Sequence, residues 1–267
     1  NGWIEIQTRP INPQATDNKA KVIANVNADI LLLQEIEDRA SLEEFNQFVL
    51  PKFDCEPYKH SFVIQNNNMK GLESGILLQK GYTLQSIKTY DVKGVIQYEI
   101  KTPKLKVVWI LSSYLKQKHP DKEASNSLRK QQAEQISEIY ISLIAEGKTN
   151  VIIAGTLDAP SYCDSLSPIL QKSDLKDITK HLSFEVDCDE GRDATYFRLG
   201  AYRMGVNIKQ KDYMLLSPAL FETMTDSGLN RKAVWPEKRP QWSIYKSISN
   251  KSQAASEHPL VWGKIII

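Results

Sequence analysis

Short runs in which every residue is apolar, each ending abruptly in a polar cluster that carries an acid, constrain this chain more than any other feature. Ile30-Leu31-Leu32-Leu33 runs into Gln34-Glu35, and Val151-Ile152-Ile153-Ala154 runs into Gly155-Thr156-Leu157-Asp158. Four such residues are too few for a buried helix, and without polar alternation they offer no face to water. They read as strands covered on both sides. Such strands need layers above and below them, and helical periodicity supplies candidates. Ala20, Val22, Ile23 and Val26 share a face over Ala15 to Val26. A second helix is expected over Ser41 to Leu50, with Ser41 as N-cap, Glu44 completing a capping box and Pro51 as the stop. The strongest helix is expected over Glu123 to Glu146, with Leu128, Ile136, Ile139, Tyr140, Leu143 and Ile144 on one side and Gly147 as its C-cap. Ser167 to Gln171 begins a shorter one.

Strand-rich stretches fill the rest: His60 to Gln65, Gly75 to Leu78, Gln97 to Lys101, Leu105 to Ser113, Thr195 to Leu199, Lys211 to Leu216, and a final central strand within Pro259 to Ile267. Strands that outnumber helices, with helices covering the sheet faces, predict an α/β (α+β) layered sandwich, and the 267 residues read as a single domain. Hydrophobic residues at 41% and charged residues at 25% exclude a disordered or collagen-like chain. No apolar run approaches the roughly 20 residues of a membrane span. The formal charge of +2 neither announces nor excludes a basic groove. Cys55, Cys163 and Cys188 lack the spacing of a zinc site. No leader pattern stands at Asn1, and no compartment is assigned.

Polar clusters at strand ends are where layered α/β folds gather ligand-binding groups. Beyond the two above, Lys211-Asp212-Tyr213 opens a strand and Ser256-Glu257-His258-Pro259 precedes the last one. Carboxylates with a histidine suit a hard cation such as Mg²⁺, which keeps several waters and binds one or two carboxylates plus substrate phosphate. Basic groups at Lys116, Lys118 and Lys122, at Arg231-Lys232 and at Lys238-Arg239, near Trp235 and Trp242, suit phosphate gripping and base stacking, although solvated loops are the weightier reading. His60, His119 and His181 lie outside any motif and are expected at the surface or in loops.

These clusters, in this order, resemble the endonuclease/exonuclease/phosphatase superfamily with its deoxyribonuclease I-like fold. Ala28 to Glu35 is similar to that family's A-D-I-x-x-L-Q-E strand, Gly155 to Pro160 to its G-D-x-N-x-P motif, Asp212 to Pro218 to its D-Y-x-L-x-S-P strand, and Ser256-Glu257-His258 to its closing S-D-H. The resemblance spans Ala28 to Trp262. It implies a four-layered sandwich of two mostly antiparallel sheets flanked by helices, acting as a monomer on phosphoesters, nucleic acids among them, with one Mg²⁺ or Mn²⁺. It further implies that Glu35 and Glu257 serve the metal, that His258 and Tyr114 contact phosphate, and that Asp212 orients His258.

Three positions depart from the family pattern. Thr156 stands for the water-activating Asp, Asp158 for the transition-state Asn, and Glu257 for the acid of S-D-H. Thr is a poor general base, and losing such a base typically costs on the order of 10²–10⁴ in rate. Residues i and i+2 of an extended segment share a side, so Asp158 is expected to face the cleft with Thr156 and to take part in water activation or metal binding. No counterpart of the family's first strand is legible between Asn1 and Asn12. The alternative is a catalytically impaired relative that binds a phosphate-bearing ligand or a partner.

Overall fold

The computed structural model describes residues 12–64, 73–92, 94–115, 121–187, 210–236 and 242–267. The strand expected at Thr195 to Leu199, and Lys116, Lys118, His119, Lys238 and Arg239, lie outside them.

Asn12 caps the first helix, α1 (Pro13–Val26), by accepting from the Gln14 N–H at 3.0 Å, and Asn27 ends it in left-handed backbone. Ala28 and Asp29 then lead into β1 (Ile30–Ile36). The next helix, α2 (Arg39–Glu44), starts two residues ahead of the expected Ser41, because the Asp38 side chain accepts from the Ser41 N–H at 2.7 Å and is the real N-cap. It continues as a π turn and then a 3₁₀ turn over Leu50–Phe53, where Pro51 sits in a first-turn position that needs no N–H donor, so it does not stop the helical path.

The antiparallel strands β2 (His60–Ile64), β3 (Glu73–Leu78), β4 (Thr83–Thr89), β5 (Val95–Lys101) and β6 (Val107–Tyr114) follow. Strand β6 begins two residues after the expected Leu105, which occupies a left-handed turn and is 70% exposed. The long helix α3 (Lys122–Ala145) crosses over to β7 (Val151–Thr156), which pairs parallel to β6 as a crossover helix requires. After α4 (Ser167–Leu170) come β8 (Lys176–Asp177), β9 (Phe184–Asp187), β10 (Asp212–Leu216), α5 (Pro218–Glu222), β11 (Met224–Asn230) and β12 (Leu260–Ile265).

Strands β4-β5-β6-β7-β10-β8 form a six-stranded sheet, faced by two three-stranded sheets, β1-β3-β2 and β12-β11-β9. The sandwich is as expected, with its second layer divided in two among the described residues. Strand β12, expected to be central, pairs there only with β11. Alternation along the strands sorts the core into three interfaces. Val151, Ile153, Tyr213 and Leu215 pack against Ile136, Tyr140 and Leu143 of α3, whereas Ile152 and Leu216 turn to the opposite face with Ile76 and Leu78 of β3. Leu31 and Leu77 meet Ala20, Val22 and Ile23 of α1. The layer order is therefore α3, large sheet, paired small sheets, then α1 and α2. No helix among the described residues is long and apolar enough to cross a membrane.

Ser227-Gly228 has the look of a turn in sequence yet lies within β11. A Cβ at Gly228 would stand 2.6 Å from the Glu185 carbonyl oxygen, so the parallel pairing of β11 with β9 needs a glycine there.

Candidate functional site

Strand register brings three of the sequence-selected residues into one row. Tyr114 pairs with Thr156 across β6 and β7, and Thr156 pairs with Asp212 across β7 and β10, so the ends of three adjacent strands present them side by side. Thr156 and Asp212 are buried, and the Thr156 hydroxyl donates to Asp212 Oδ1 at 2.7 Å. His258 arrives from the facing layer, just before β12. Its Nδ1 lies 2.9 Å from both Asp212 oxygens, and its backbone N–H is held by Ser256 Oγ at 3.0 Å. Anchoring one ring nitrogen on a carboxylate fixes the orientation of the imidazole and leaves Nε2 on the other edge of the ring.

Glu35 stands at the end of β1, where the pairing with β3 is irregular between Leu33 and Ile36 and the Glu35 backbone is left-handed (φ 57°). A non-glycine residue in that region costs energy, a cost that functional sites often carry. The Tyr114 hydroxyl donates to Glu35 Oε1. Burial, then the bond to Glu35 and its charge, and then the Asp158 charge push the Tyr114 phenol well above its ordinary pKa. Tyr114 is therefore a protonated donor to the Glu35 carboxylate, and not a plain core aromatic.

A clasp holds Glu35 beside Tyr114. Gln34 Nε2 donates to the Ser113 carbonyl at 2.9 Å, tying β1 to the large sheet. The contact needs Gly155, where a Cβ would fall 2.1 Å from the same carbonyl oxygen and 2.4 Å from Gln34 Nε2, at a φ of 137°. The glycine of the Gly155-Thr156 motif thus serves close packing between the two sheets.

Asp158 is engaged differently from Thr156. Its backbone is left-handed (φ 49°), and its carboxylate meets Lys211 Nζ at 3.0 Å and Arg129 of α3 at 3.7 Å. Glu257 is 70% exposed and pairs with Lys251 at 3.1 Å. Arg129 escaped the sequence reading, which placed Leu128 on the buried face of α3. Leu128 is 39% exposed and Arg129 only 6%. The spacing 129, 132, 136, 140, 143 follows one helical stripe and was the available signal.

Elsewhere, Trp242 is buried with Arg231 stacked 4.7 Å from its ring, so this pair builds the core and offers no platform for a base. His60 is half-buried in β2, and His181 packs edge-on against Phe221.

Among the described residues, no three His, Cys, Asp or Glu side chains form a group able to enclose a metal ion. Of the carboxylates at the strand ends, Asp212 meets Thr156 and His258, Asp158 meets Lys211 and Arg129, and Glu35, which accepts from Tyr114, is the candidate ligand that the resemblance implies. One hard oxygen ligand without a thiolate or imidazole cluster fits a largely hydrated Mg²⁺ or Mn²⁺ that water and substrate phosphate complete, and does not fit zinc.

No protein-family model and no curated protein matches this sequence. Solved structures do match. Truncated TDP2 from Caenorhabditis elegans is 16% identical over 95% of this chain and 90% of its own, with a TM-score of 0.60. The mannosyl-6-phosphatase Bt3783 of Bacteroides thetaiotaomicron is 12% identical over 96% and 91%, also at 0.60. An endonuclease/exonuclease/phosphatase family protein from the same bacterium is 13% identical over 81% and 78%, at 0.54. Identities this low speak for the fold alone.

Proposed function

We propose that this chain, which has the deoxyribonuclease I-like fold of the endonuclease/exonuclease/phosphatase proteins, is a phosphoester hydrolase whose cleft lies at the ends of β1, β6, β7 and β10. The observation that carries this reading is the Asp212–His258 pair, seated in the same row as Thr156 and Tyr114. Neighbours in fold that include a mannosyl-6-phosphatase add support.

In this reading His258 presents Nε2 to a phosphate oxygen, and Asp212 holds the ring through Nδ1. Charge-assisted hydrogen bonds of this kind are about twice as strong as neutral ones. Glu35, bonded by the Tyr114 hydroxyl, would hold Mg²⁺ or Mn²⁺. When bound, the ion supplies charge stabilisation for the phosphoryl oxygens. Thr156 cannot act as a base near neutrality, and its hydroxyl is spent on Asp212. The ion pairs of Asp158 favour a positioning role for it over water activation. Turnover is therefore expected to be slow.

The test is a hydrolysis panel on plasmid DNA, abasic oligonucleotide, RNA and a chromogenic phosphodiester, with Mg²⁺, with Mn²⁺ and with chelator. Hydrolysis that chelator abolishes is expected. The missing carboxylate at Thr156 favours a second reading, a noncatalytic relative that binds a phosphate-bearing ligand; binding without turnover across the panel selects it.

A further inference from the structure

Three charged side chains form a ladder at the edge of the proposed site. The side chains of Arg129, Asp158 and Lys211 are 7%, 16% and 49% exposed, and Asp158 bridges the two cations at 3.7 and 3.0 Å. The inner end is firmly built. Arg129 donates to Asn126 Oδ1 at 2.8 Å, and its buried Nε has no hydrogen-bond partner. A buried arginine needs a counter-charge, since an unpaired ion in the interior is costly. Asp158 supplies it. That pairing already neutralises Asp158, so the ladder carries one surplus positive charge, and it sits on the most exposed member, Lys211.

The backbone fixes where that charge stands. The N–H groups of Leu157 and Asp158 both point to the Lys211 carbonyl, at 2.8 and 3.2 Å, so the start of β10 is pinned to the turn that follows β7. Lys211 immediately precedes Asp212, and adjacent residues of an extended chain face opposite sides. Asp212 faces the side from which His258 comes, whereas Lys211 faces the side of α3, with Asp158 and Arg129. A ligand lying across the start of β10 therefore meets His258 on one side and Lys211 on the other.

We propose that Lys211 binds a second phosphate group of the substrate, next to the one at His258, and that Asp158, itself held by Arg129, positions it. This rests on the functional reading above and narrows it to phosphoesters that carry a neighbouring phosphate. An anion arriving there exchanges part of the Lys211–Asp158 contact for its own, which Asp158 can release because Arg129 still balances it.

The experiment compares thymidine 5′-phosphate with thymidine 3′,5′-bisphosphate, two probes that differ by one phosphate, in NMR titrations of the whole chain at low ionic strength. The wild type should bind the bisphosphate about fivefold more tightly, the scale of one exposed ion pair. Lys211→Met should erase that preference, keep affinity for the monophosphate and leave the melting temperature unchanged, while Lys211→Arg should retain the preference. Asp158→Asn keeps the shape of the side chain but removes both the anchor of Lys211 and a carboxylate that competes with the incoming phosphate, so it should change the preference; an unchanged preference in this variant would remove Asp158 from the positioning role. A preference that survives in Lys211→Met overturns the inference. So does a wild type that binds both probes equally, which leaves the functional reading standing. A wild type that binds neither overturns both.

Discussion

One oxygen of Asp212, Oδ1, lies 2.7 Å from the Thr156 hydroxyl and 2.9 Å from His258 Nδ1. The position at which the family pattern places a catalytic carboxylate is here a donor that supports the histidine's partner. Thr156→Val keeps the shape and deletes that bond. It is expected to destabilise the protein by about 1.5–3 kcal/mol, the range for a hydrogen bond to a charged group. Urea denaturation of Thr156→Val, His258→Ala and the double variant should show coupling between the two sites; strictly additive effects would mean that the shared oxygen links nothing.

Restoring the family's residue types with Thr156→Asp plus Asp158→Asn returns a base and a neutral donor together. Hydrolysis should rise by roughly 10² or more. The structure attaches a cost to that gain. The carboxylate introduced by Thr156→Asp would crowd Asp212, where two close carboxylates tend to share a proton, and Arg129 would lose its charge partner, so stability should drop by about 1–3 kcal/mol. Rates in Mg²⁺ read beside denaturation midpoints check both halves.

The clasp between the sheets makes a sharper stability prediction. Gly155→Ala forces a methyl group into the Ser113 carbonyl at a backbone angle suited to glycine. It is expected to cost about 3 kcal/mol or more. Gln34→Met, which removes only the 2.9 Å bond, should cost about 1 kcal/mol. Equal losses in the two variants would argue that Gly155 acts through the hydrogen bond and not through packing.

Much of this arrangement was legible in the sequence because the short apolar runs announce buried strands and the polar residues at their ends have nowhere else to go. Glu35, Thr156, Asp212 and His258 stand in the clusters legible that way, whereas Tyr114 and the role of each residue are implied only by the family resemblance. The misses have local causes. Strand β4 is exposed at nearly every position and shows no alternation to detect. Strand β11 hides behind Gly228, whose missing Cβ serves close approach and not a turn. A charged residue on a helix is normally solvated, and Arg129 is buried because Asp158, on a turn distant in sequence, supplies its counter-charge. The shared face expected of Thr156 and Asp158 assumed extended backbone, which the left-handed φ of Asp158 does not provide.

Away from the site, Asp177 gives a pH signature. It is buried, accepts from the Thr179 N–H at 3.0 Å and from Gln210 Nε2 at 2.9 Å, and its burial raises the carboxyl pKa more than those bonds lower it. The folded protein thus keeps this proton to a higher pH than the unfolded chain, whose carboxyl ionises near pH ~3.9. Its contribution to stability is full below that value and is lost as pH rises through the folded pKa. Denaturation of wild type and Asp177→Asn from about pH 4 to neutrality should show the difference between them changing in that sense; a constant difference would contradict it.

The central claim, that the Asp212–His258 pair works on a phosphoester, is tested most directly by the hydrolysis rate of a chromogenic phosphodiester in Mg²⁺ for wild type, His258→Ala and Asp212→Asn, with folding verified by circular dichroism. The account predicts measurable turnover in the wild type and losses of about 10²–10⁴ in both variants. Turnover that survives unchanged in folded His258→Ala, or a folded wild type without turnover under every condition, would contradict it.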